Sequence, residues 1–326
     1  MTNQKRIAQG LKISVTTVSN ALAGKGRVSE DVIERVNAKA LELGYVPSAA
    51  GRALKTGRTG ILGLVMPDIT HPVFPDFAHG VESAADKCGF GVLIANSRGS
   101  EEGQANAIRQ LCLRGVDGII IVPHRGTAPA ITGVPFAIVS TPSDPHSVVS
   151  ANHQQGGRLA ASVLLDMGHR IFLLLGDDPQ SSVQCNRIDG MVEALGSLAK
   201  FEVLWTVDGF PNLVEKHRAG VTAILTVSDL LALRVITEAA WLGIKCPDAI
   251  SVVGFDDLPL SKAVRPTLTT IVPDTAELSR RAVAYLDAAL SQGALPATPS
   301  IVDFTLALRE STGPANISTS HSTRRN

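Results

Sequence analysis

Hydrophobic positions follow two patterns along this chain, and the change comes at about residue 60. Before it, apolar side chains recur every three or four residues, the spacing of short amphipathic helices. After it, short continuous Val, Ile and Leu runs alternate with helical patterns. The runs are ILGLVM (61–66), GVLIA (91–95), GIIIV (118–122), FAIVS (136–140), IFLLLG (171–176), AILTV (223–227) and SVVGF (251–255). Strands buried on both faces have this pattern, so we predict an α/β body with parallel sheets and helical crossovers at 76–88, 102–114, 156–167, 229–242 and 275–291.

Three short helices are predicted in the first 46 residues, at 3–10, from Ser14 through Leu22, and at 30–43. Ser14 and Ser29 are suitable N-caps, and Gly44 ends the third helix. The inward-facing positions are Ile7, Ala8, Leu11, Val18, Ala21, Leu22, Val32, Ile33, Val36, Ala40 and Leu43. Three helices of this length predict a compact helix-turn-helix head with a small core.

The charge balance supports a separate role for this head. Residues 1–58 hold ten Lys/Arg and four Asp/Glu, whereas the rest of the chain holds 20 and 26. A basic head on an acidic body predicts an anionic partner for the head, and a chance excess on a solvated domain is the alternative.

The segment KISVTTVSNALAGKG, residues 12–26, combines a helical pattern with many hydroxyl side chains and no acidic one. In a helix-turn-helix, the second helix lies in the major groove of DNA, where short hydroxyl side chains approach phosphates and bases closely. Ser14, Thr16, Thr17 and Ser19 fit that role. The alternative is that the hydroxyls only cap the helix, which we favour for Ser14, although it can serve both roles.

Several functional classes have no support in the sequence. The four cysteines are scattered without zinc-ligand spacing, and we expect no cofactor and no metal. The start of the chain has no secretion signal and no apolar run is long enough for a membrane span, so we expect a cytoplasmic protein. A GxSxG motif and a Gly-rich phosphate loop are both missing, which argues against an enzyme.

Two further segments stand apart from the head and body. Residues 47–58 (PSAAGRALKTGR) are rich in Ala but too short to form a stable helix alone, so we expect this hinge to fold only against a partner. Residues 311–326 are rich in Ser, Thr and Asn without an apolar pattern, which predicts a disordered tail.

The chain resembles the LacI–GalR family of bacterial transcription regulators over about residues 2–310. The matching motifs are ISVTTVSNAL, RVSEDVIERVNAKALELGYVPS, GRALKTGRTGILGLVMPDITHPVF, RGVDGIIIV, DMGHRIFLLLG and DAISVVGFDDLPLSKAVRPTLTTI. The resemblance implies a DNA-binding head (1–46), a hinge helix (47–58), and a body (59–310) of two subdomains similar to periplasmic sugar-binding proteins. It places subdomain crossovers near 150 and 272 and implies homodimers, with tetramers as an alternative.

The resemblance also assigns DNA contacts. It places Val15, Thr16 and Asn20 at base-reading positions, where Val15 could touch a thymine methyl and Asn20 could pair with adenine. It implies that Arg52 and Leu54, in the R-x-L pattern of the hinge, contact DNA and that Leu54 is wedged into the minor groove. Packing onto the body is the alternative for Leu54. Lys5, Arg6 and Lys25 are either phosphate contacts or solvated charges.

For the effector, the resemblance points to a cleft in the body. Arg187 stands at the position of the family's effector-binding arginine, and Phe74, Phe210, Ser228 and Asp256 are the other candidates. An aromatic ring, an arginine and a carboxylate suit a polyhydroxylated ligand. The alternatives are a structural ion pair for Arg187, a turn cap for Asp256 and a core position for Phe210. Ser228-Asp229 and Ala151-Asn152 depart from the family's usual Asn-Asp and Asp-Asn.

The sequence therefore predicts a DNA-binding repressor that recognises a near-palindromic operator and is controlled by a small polar effector, a sugar or sugar derivative. A nucleoside, purine-type or other non-sugar effector is one alternative. A solute-binding protein is the other, and it leaves residues 1–58 without a role.

Overall fold

The computed structural model describes residues 3–22, 28–45, 53, 57–123, 133–142, 144, 146–292 and 300–315. The chain forms two compact units, residues 1–60 and 61–326. Most of the predicted hinge, including Arg52 and Leu54, lies outside the described residues, as do Lys25 and residues 316–326.

The head has three helices: α1 (Asn3–Leu11), α2 (Val15–Leu22) and α3 (Glu30–Glu42). All the inward-facing positions expected from the sequence belong to one apolar cluster, in which Ile7, Val18 and Val36 are fully buried. Lys12 adopts a left-handed conformation (φ 55°) in the turn between α1 and α2, a region that disfavours a side chain with a Cβ. Ser29 occupies the N-cap position of α3, but its side chain makes no cap hydrogen bond.

The body is built on twelve described strands and eight described helices. The strands are β1 (Ile61–Met66), β2 (Gly91–Asn96), β3 (Gly118–Ile121), β4 (Phe136–Ser140), β5 (Val149–Ala151), β6 (Ile171–Gly176), β7 (Lys200–Trp205), β8 (Ala223–Thr226), β9 (Ser251–Phe255), β10 (Thr269–Val272), β11 (Ser300–Val302) and β12 (Thr305–Ala307). The helices are α4 (Val73–Lys87), α5 (Glu101–Leu113), α6 (His153–Asp166), α7 (Ser182–Leu195), α8 (Leu213–Arg218), α9 (Asp229–Trp241), α10 (Pro259–Ala263) and α11 (Thr275–Gln292).

These strands form two six-stranded sheets, one for each subdomain. The first has the order β11-β5-β4-β3-β1-β2 and the second β12-β10-β9-β8-β6-β7. All described pairs are parallel except β10 with β12, which is antiparallel. The apolar runs of the sequence are the strands β1–β4, β6, β8 and β9, which confirms the predicted α/β class. Most of their side chains are buried because crossover helices cover both faces of each sheet, whereas those of the edge strand β2 are half-buried or exposed.

The chain crosses between the subdomains three times. The crossings lie between β5 and α6, between β10 and α11, and between β11 and β12. The first two correspond to the crossovers expected near residues 150 and 272. The third, at residues 303–304, was not expected because the three-residue strands that flank it lack an apolar run.

The prediction of a disordered tail from residue 311 is wrong for its first five residues. Ser311 is fully buried, accepts a hydrogen bond from the Thr269 amide (2.8 Å) and donates one to the Val252 carbonyl (2.6 Å). The Gly313 carbonyl lies 3.0 Å from Nε2 of the buried His169. Small polar side chains here complete the hydrogen bonds of the sheet, a role that an apolar pattern does not reveal.

Helices α6 and α7 approach each other at backbone distance. A Cβ on Gly190 would overlap the carbonyl oxygen of Gln154, and a Cβ on Gly157 would overlap the carbonyl oxygen of Arg187. Neither obstacle is a movable side chain, so only glycine fits at these two positions. The contact fixes the position of α7, which carries Arg187, against the start of α6.

Replacing Gly190 with Ala should therefore force these helices apart. We expect the free energy of unfolding to fall by at least about 2 kcal/mol, since overpacking outweighs the gain in helix propensity. Urea denaturation of the full chain measures this change. Gly91→Ala is the matched control, because a Cβ at that exposed position meets nothing within 4 Å. Equal stabilities of the two variants would contradict the packing described.

Candidate functional site

A cavity of about 490 Å³ lies between the two subdomains of the body. It opens at the carboxyl ends of the parallel strands, where open α/β sheets place their ligands. The polar side chains that line it are Asp68, His71, Ser140, His153, Asp177, Asp178, Ser181, Ser182, Gln184, Arg187, Ser228, Asp256 and Thr275. Phe74, Phe77 and Phe304 supply aromatic surface. Of the predicted effector residues, the structure brings Phe74, Arg187, Ser228 and Asp256 together here.

Arg187, on α7, is the centre of a buried network. Its Nη2 forms an ion pair with Oδ1 of Asp256 at 2.9 Å, and its Nη1 donates to the Val227 carbonyl at 2.5 Å. Its Nε donates to Nδ1 of His153 at 3.2 Å, and its guanidinium lies 4.0 Å from the centroid of the Phe255 ring. Each of the three guanidinium nitrogens thus has a protein partner, so the structural ion pair considered from the sequence is present.

Asp256 follows β9 in an unusual backbone conformation. Its φ is 106°, outside the regions that residues with a Cβ normally adopt, and its amide donates to the Ile271 carbonyl at 2.8 Å. Burial raises the pKa of the Asp256 carboxyl, while the positive charge of Arg187 acts in the opposite direction. A strained backbone and a buried ion pair at the end of a strand are typical of functional sites.

Two aromatic rings and His153 hold this network in place. The Phe304 ring centroid lies 5.2 Å from the centroids of both His153 and Phe255. Neither His153 nor Phe304 was predicted from the sequence. Phe304 belongs to the third crossover, and His153 is the residue that follows Asn152, the N-cap of α6. A histidine directly after an N-cap is too weak a signal to identify a site without the fold.

The first subdomain contributes the opposite wall of the cavity. Phe74, on α4, packs edge-on against His71 with ring centroids 5.8 Å apart. Asp68 accepts hydrogen bonds from the amide (2.9 Å) and hydroxyl (2.8 Å) of Thr70, and these bonds lower the pKa of its carboxyl. An aromatic face and an ionised carboxylate therefore face the Arg187 network across the cavity.

Ser228 lines the cavity, but its side chain has a local partner. Its hydroxyl accepts the Leu231 amide at 3.2 Å and caps α9. The next residue, Asp229, is fully buried and accepts hydrogen bonds from the Thr270 hydroxyl (2.5 Å) and the Leu258 amide (2.8 Å). Burial raises the pKa of Asp229 to about 7. Asp229 thus ties α9 to the segment after β9, which positions Asp256.

Phe210 is not among the residues that line this cavity, so the expectation that it closes the pocket is not supported. Its ring is half-buried against the core, and the Arg234 guanidinium lies 4.1 Å from its centroid. Phe210 lies between β7 and Asn212, the N-cap of the short helix α8, and this segment does not line the cavity that contains the other effector candidates.

In the head, the residues predicted to contact DNA lie on or next to α2. Val15 is 39% exposed and Thr16 is exposed, as base-reading positions require. The Ser14 hydroxyl accepts the Thr17 amide at 2.9 Å and lies 2.8 Å from the Thr17 hydroxyl. Ser14 is therefore an N-cap, as favoured above. Thr17, Ser19 and Asn20 are half-buried, and their remaining surface lies along the same short helix.

The described part of the chain contains no group of three or more His, Cys, Asp or Glu side chains suited to a metal ion. None of its described helices combines the length and apolar character that crossing a bilayer requires.

Comparisons with known proteins identify both units. Residues 5–48 match the model of bacterial regulatory proteins of the lacI family, and residues 161–312 match a periplasmic binding protein-like domain. The transcriptional regulator DegA of Bacillus subtilis (strain 168) is 31% identical over 291 residues, covering 83% of this chain and 86% of DegA. The transcriptional repressor PurR of Pasteurella multocida (strain Pm70) is 26% identical over 304 residues, covering 88% and 91%.

Among solved structures, the lac repressor dimer bound to operator and the anti-inducer ONPF has the same fold. Its TM-score is 0.78 at 24% sequence identity, with 94% of this chain and 98% of that chain covered.

Replacing Arg187 with Met tests the buried network. The variant leaves Asp256 buried without its ion-pair partner, which should cost about 3–5 kcal/mol of stability at pH 8. Without Arg187 the pKa of Asp256 rises further. The folded protein then binds a proton that the unfolded chain has lost, and the deficit should shrink between pH 8 and pH 5.5. Urea denaturation of the variant and the wild type at both pH values measures this difference in the free energy of unfolding.

Arg234→Met is the matched control, because this exposed arginine stacks on Phe210 without an acidic partner among the described contacts. We expect a loss of no more than about 1 kcal/mol, equal at both pH values. A pH-independent deficit for Arg187→Met would show that the ion pair with Asp256 is not what stabilises the site.

Proposed function

Because the chain belongs to the LacI family of bacterial regulatory proteins, we propose that it is a cytoplasmic transcriptional repressor controlled by a small polar effector. The proposal rests on one observation, that the chain combines two functional parts. One is a helix-turn-helix head with an exposed, acid-free α2, and the other is a two-subdomain body with a buried polar network beside a cavity. The known relatives reported above are regulators rather than enzymes, and so is this chain.

The head binds operator DNA through α2 in the major groove. A single three-helix head contacts few bases, so the proposal includes a homodimer on a near-palindromic site, which doubles the contacts. The excess of basic residues in 1–58 attracts the phosphates of any DNA, while side chains on α2 select the sequence. Affinity should accordingly fall steeply as salt concentration rises.

The body binds the effector between its subdomains. Phe74 supplies an aromatic face for a sugar or base, and Asp256 supplies a hydrogen-bond acceptor held by Arg187. A ligand that contacts both walls favours the closed arrangement of the subdomains. In a dimer, that change alters the spacing of the paired hinges and thereby the affinity for operator.

Asn20→Ala tests the sequence-reading role of α2. An asparagine bidentate to adenine contributes about 1–3 kcal/mol of discrimination, so operator affinity should fall by about fivefold to 150-fold. Affinity for random DNA should change little because phosphate contacts remain. Gel-shift titrations on an operator selected from genomic fragments, and on random DNA of equal length, measure both at one salt concentration. Asn37→Ala, exposed on α3, is the control. An unchanged operator affinity for Asn20→Ala would refute the assignment.

Leu54→Ala tests the hinge. If Leu54 is wedged between base pairs at the operator centre, its loss should reduce both operator bending and operator affinity, and leave random DNA unaffected. Circular-permutation gel shifts measure the bend. Leu41→Ala, which removes an 83% exposed leucine from the head, is the control. Equal losses on both DNAs would mean that Leu54 only stabilises the protein, and no loss on either would remove it from the mechanism.

A further inference from the structure

His153 is a buried titratable residue that lines the cavity but that the function above leaves without a role. It is the first residue of α6, directly after the first crossover between the subdomains. Only 8% of its surface is exposed, yet it lines the cavity beside Arg187 and Asp256. Phe304 packs against its ring at 5.2 Å and holds the orientation of the imidazole.

The hydrogen bond from Arg187 determines which nitrogen of His153 carries a proton. The guanidinium can only donate, and its Nε donates to Nδ1 of His153 at 3.2 Å. Nδ1 must therefore be the unprotonated nitrogen, and the single proton of the neutral ring is on Nε2. Burial, and secondly the charge of Arg187, lower the pKa of His153 well below 6.5, so the ring is neutral at pH 7.

The Nε2–H group of His153 has no hydrogen-bond partner within the described residues. Among these residues, Ser97 Oγ is the single fully enclosed side-chain polar atom without a partner. The Nε2–H of His153 is therefore not sealed in the core but opens onto the cavity that the residue lines. The imidazole is therefore more than nine-tenths buried and fixed in orientation, while its one N–H donor is available to a ligand in the cavity.

Asp256 supplies the complementary group. Its Oδ1 is paired with Arg187, and its Oδ2 has no hydrogen-bond partner in the described part of the chain. Arg187 thus holds together two residues that both line the cavity: His153, with its Nε2–H donor, and Asp256, with its second carboxylate oxygen as an acceptor. A hydroxyl group matches this pair because it both accepts and donates.

The charge of the cavity restricts what else the ligand can carry. The described lining residues include Asp68, Asp177, Asp178 and Asp256 but Arg187 is their only arginine or lysine. The charge of Arg187 is already matched by Asp256. Among the described lining residues, a phosphate or carboxylate on the ligand would therefore meet acidic side chains and no arginine or lysine that lacks an acidic partner.

We propose that His153 is an effector-binding residue that donates its Nε2–H to an uncharged oxygen of the ligand. The cavity then selects neutral hydroxylated ligands against their phosphorylated counterparts. The inference rests on the proposed function, because it names the class of effector that the same cavity takes.

Matched ligand pairs test the selectivity on the full-length protein. The probes are D-glucose and glucose 6-phosphate, D-ribose and ribose 5-phosphate, and adenosine and adenosine monophosphate, screened by thermal shift and followed by calorimetry. At least one neutral member should bind, and at least about tenfold more tightly than its phosphate. Tighter binding of a phosphorylated member, or no binding by any neutral member, would overturn the proposed ligand class.

Two substitutions of His153 test the donor with the neutral probe that binds. His153→Leu keeps an apolar volume but removes the Nε2–H, and it should weaken binding about tenfold. His153→Gln keeps an amide N–H that can face the cavity, and it should bind within about threefold of the wild type. Equal affinities for the Leu and Gln variants would remove His153 from the binding site.

Nitrogen-15 NMR of histidine-labelled wild-type protein tests the tautomer without any substitution. At pH 7.5 the His153 ring should show a protonated Nε2 and an unprotonated Nδ1, and the neutral probe should shift the Nε2 resonance. The opposite tautomer would overturn the proposal even if a variant failed to fold. None of these measurements requires DNA, so a failure to bind operator would refute the repressor proposal and leave the result on His153 intact.

Discussion

The body depends on the placement of one buried positive charge, that of Arg187. A guanidinium removed from water is costly unless its charge and its N–H groups are matched. Here Asp256, the Val227 carbonyl and His153 provide the match, and the Phe255 ring covers one face of the guanidinium. These partners come from the ends of β8 and β9 and from the start of α6, so the requirement to pair one charge brings three separate segments to one cavity wall. This wall of the site is therefore held together by contacts within the protein itself.

That arrangement reconciles two interpretations of Arg187 that are alternatives at the level of sequence. The ion pair with Asp256 is structural, because both side chains are at least nine-tenths buried. The same ion pair also fixes the polarity of the cavity wall, because it determines which oxygen of Asp256 and which nitrogen of His153 remain available. Stability and ligand selection thus rest on one set of contacts. The facing wall, with Phe74 and Asp68, belongs to the first subdomain, which is joined to the second by three crossings of the chain. A ligand held by both walls has the geometry needed to shift their relative arrangement.

The sequence predicts those parts of the molecule in which the type of each residue follows directly from whether the residue is buried or exposed. Val, Ile and Leu runs identify β1 and β6 because strands covered on both faces exclude polar side chains, and the helical period identifies the core of the head. Prediction from the sequence fails where the surroundings of a residue are formed by segments that are distant along the chain. The edge strand β7 is exposed or half-buried, and Lys200 and Glu202 interrupt its apolar residues. Ser311 is buried because it completes hydrogen bonds of β9 and β10. His153 is invisible for the same reason, since its role depends on an arginine 34 positions away. Phe210 shows the converse error: an aromatic residue in a loop resembles a ligand contact until the course of the loop is known.

The glycine contact between α6 and α7 has a consequence for exchanging parts among related regulators. Gly157 and Gly190 are matched surfaces, each shaped to the backbone of the opposite helix. A chimera that takes α7 and its arginine from one protein and α6 from another combines two helices whose contact surfaces are not complementary. The two helices are therefore a single transferable module, and the natural boundaries for recombination lie before residue 152 and after residue 195, outside the pair.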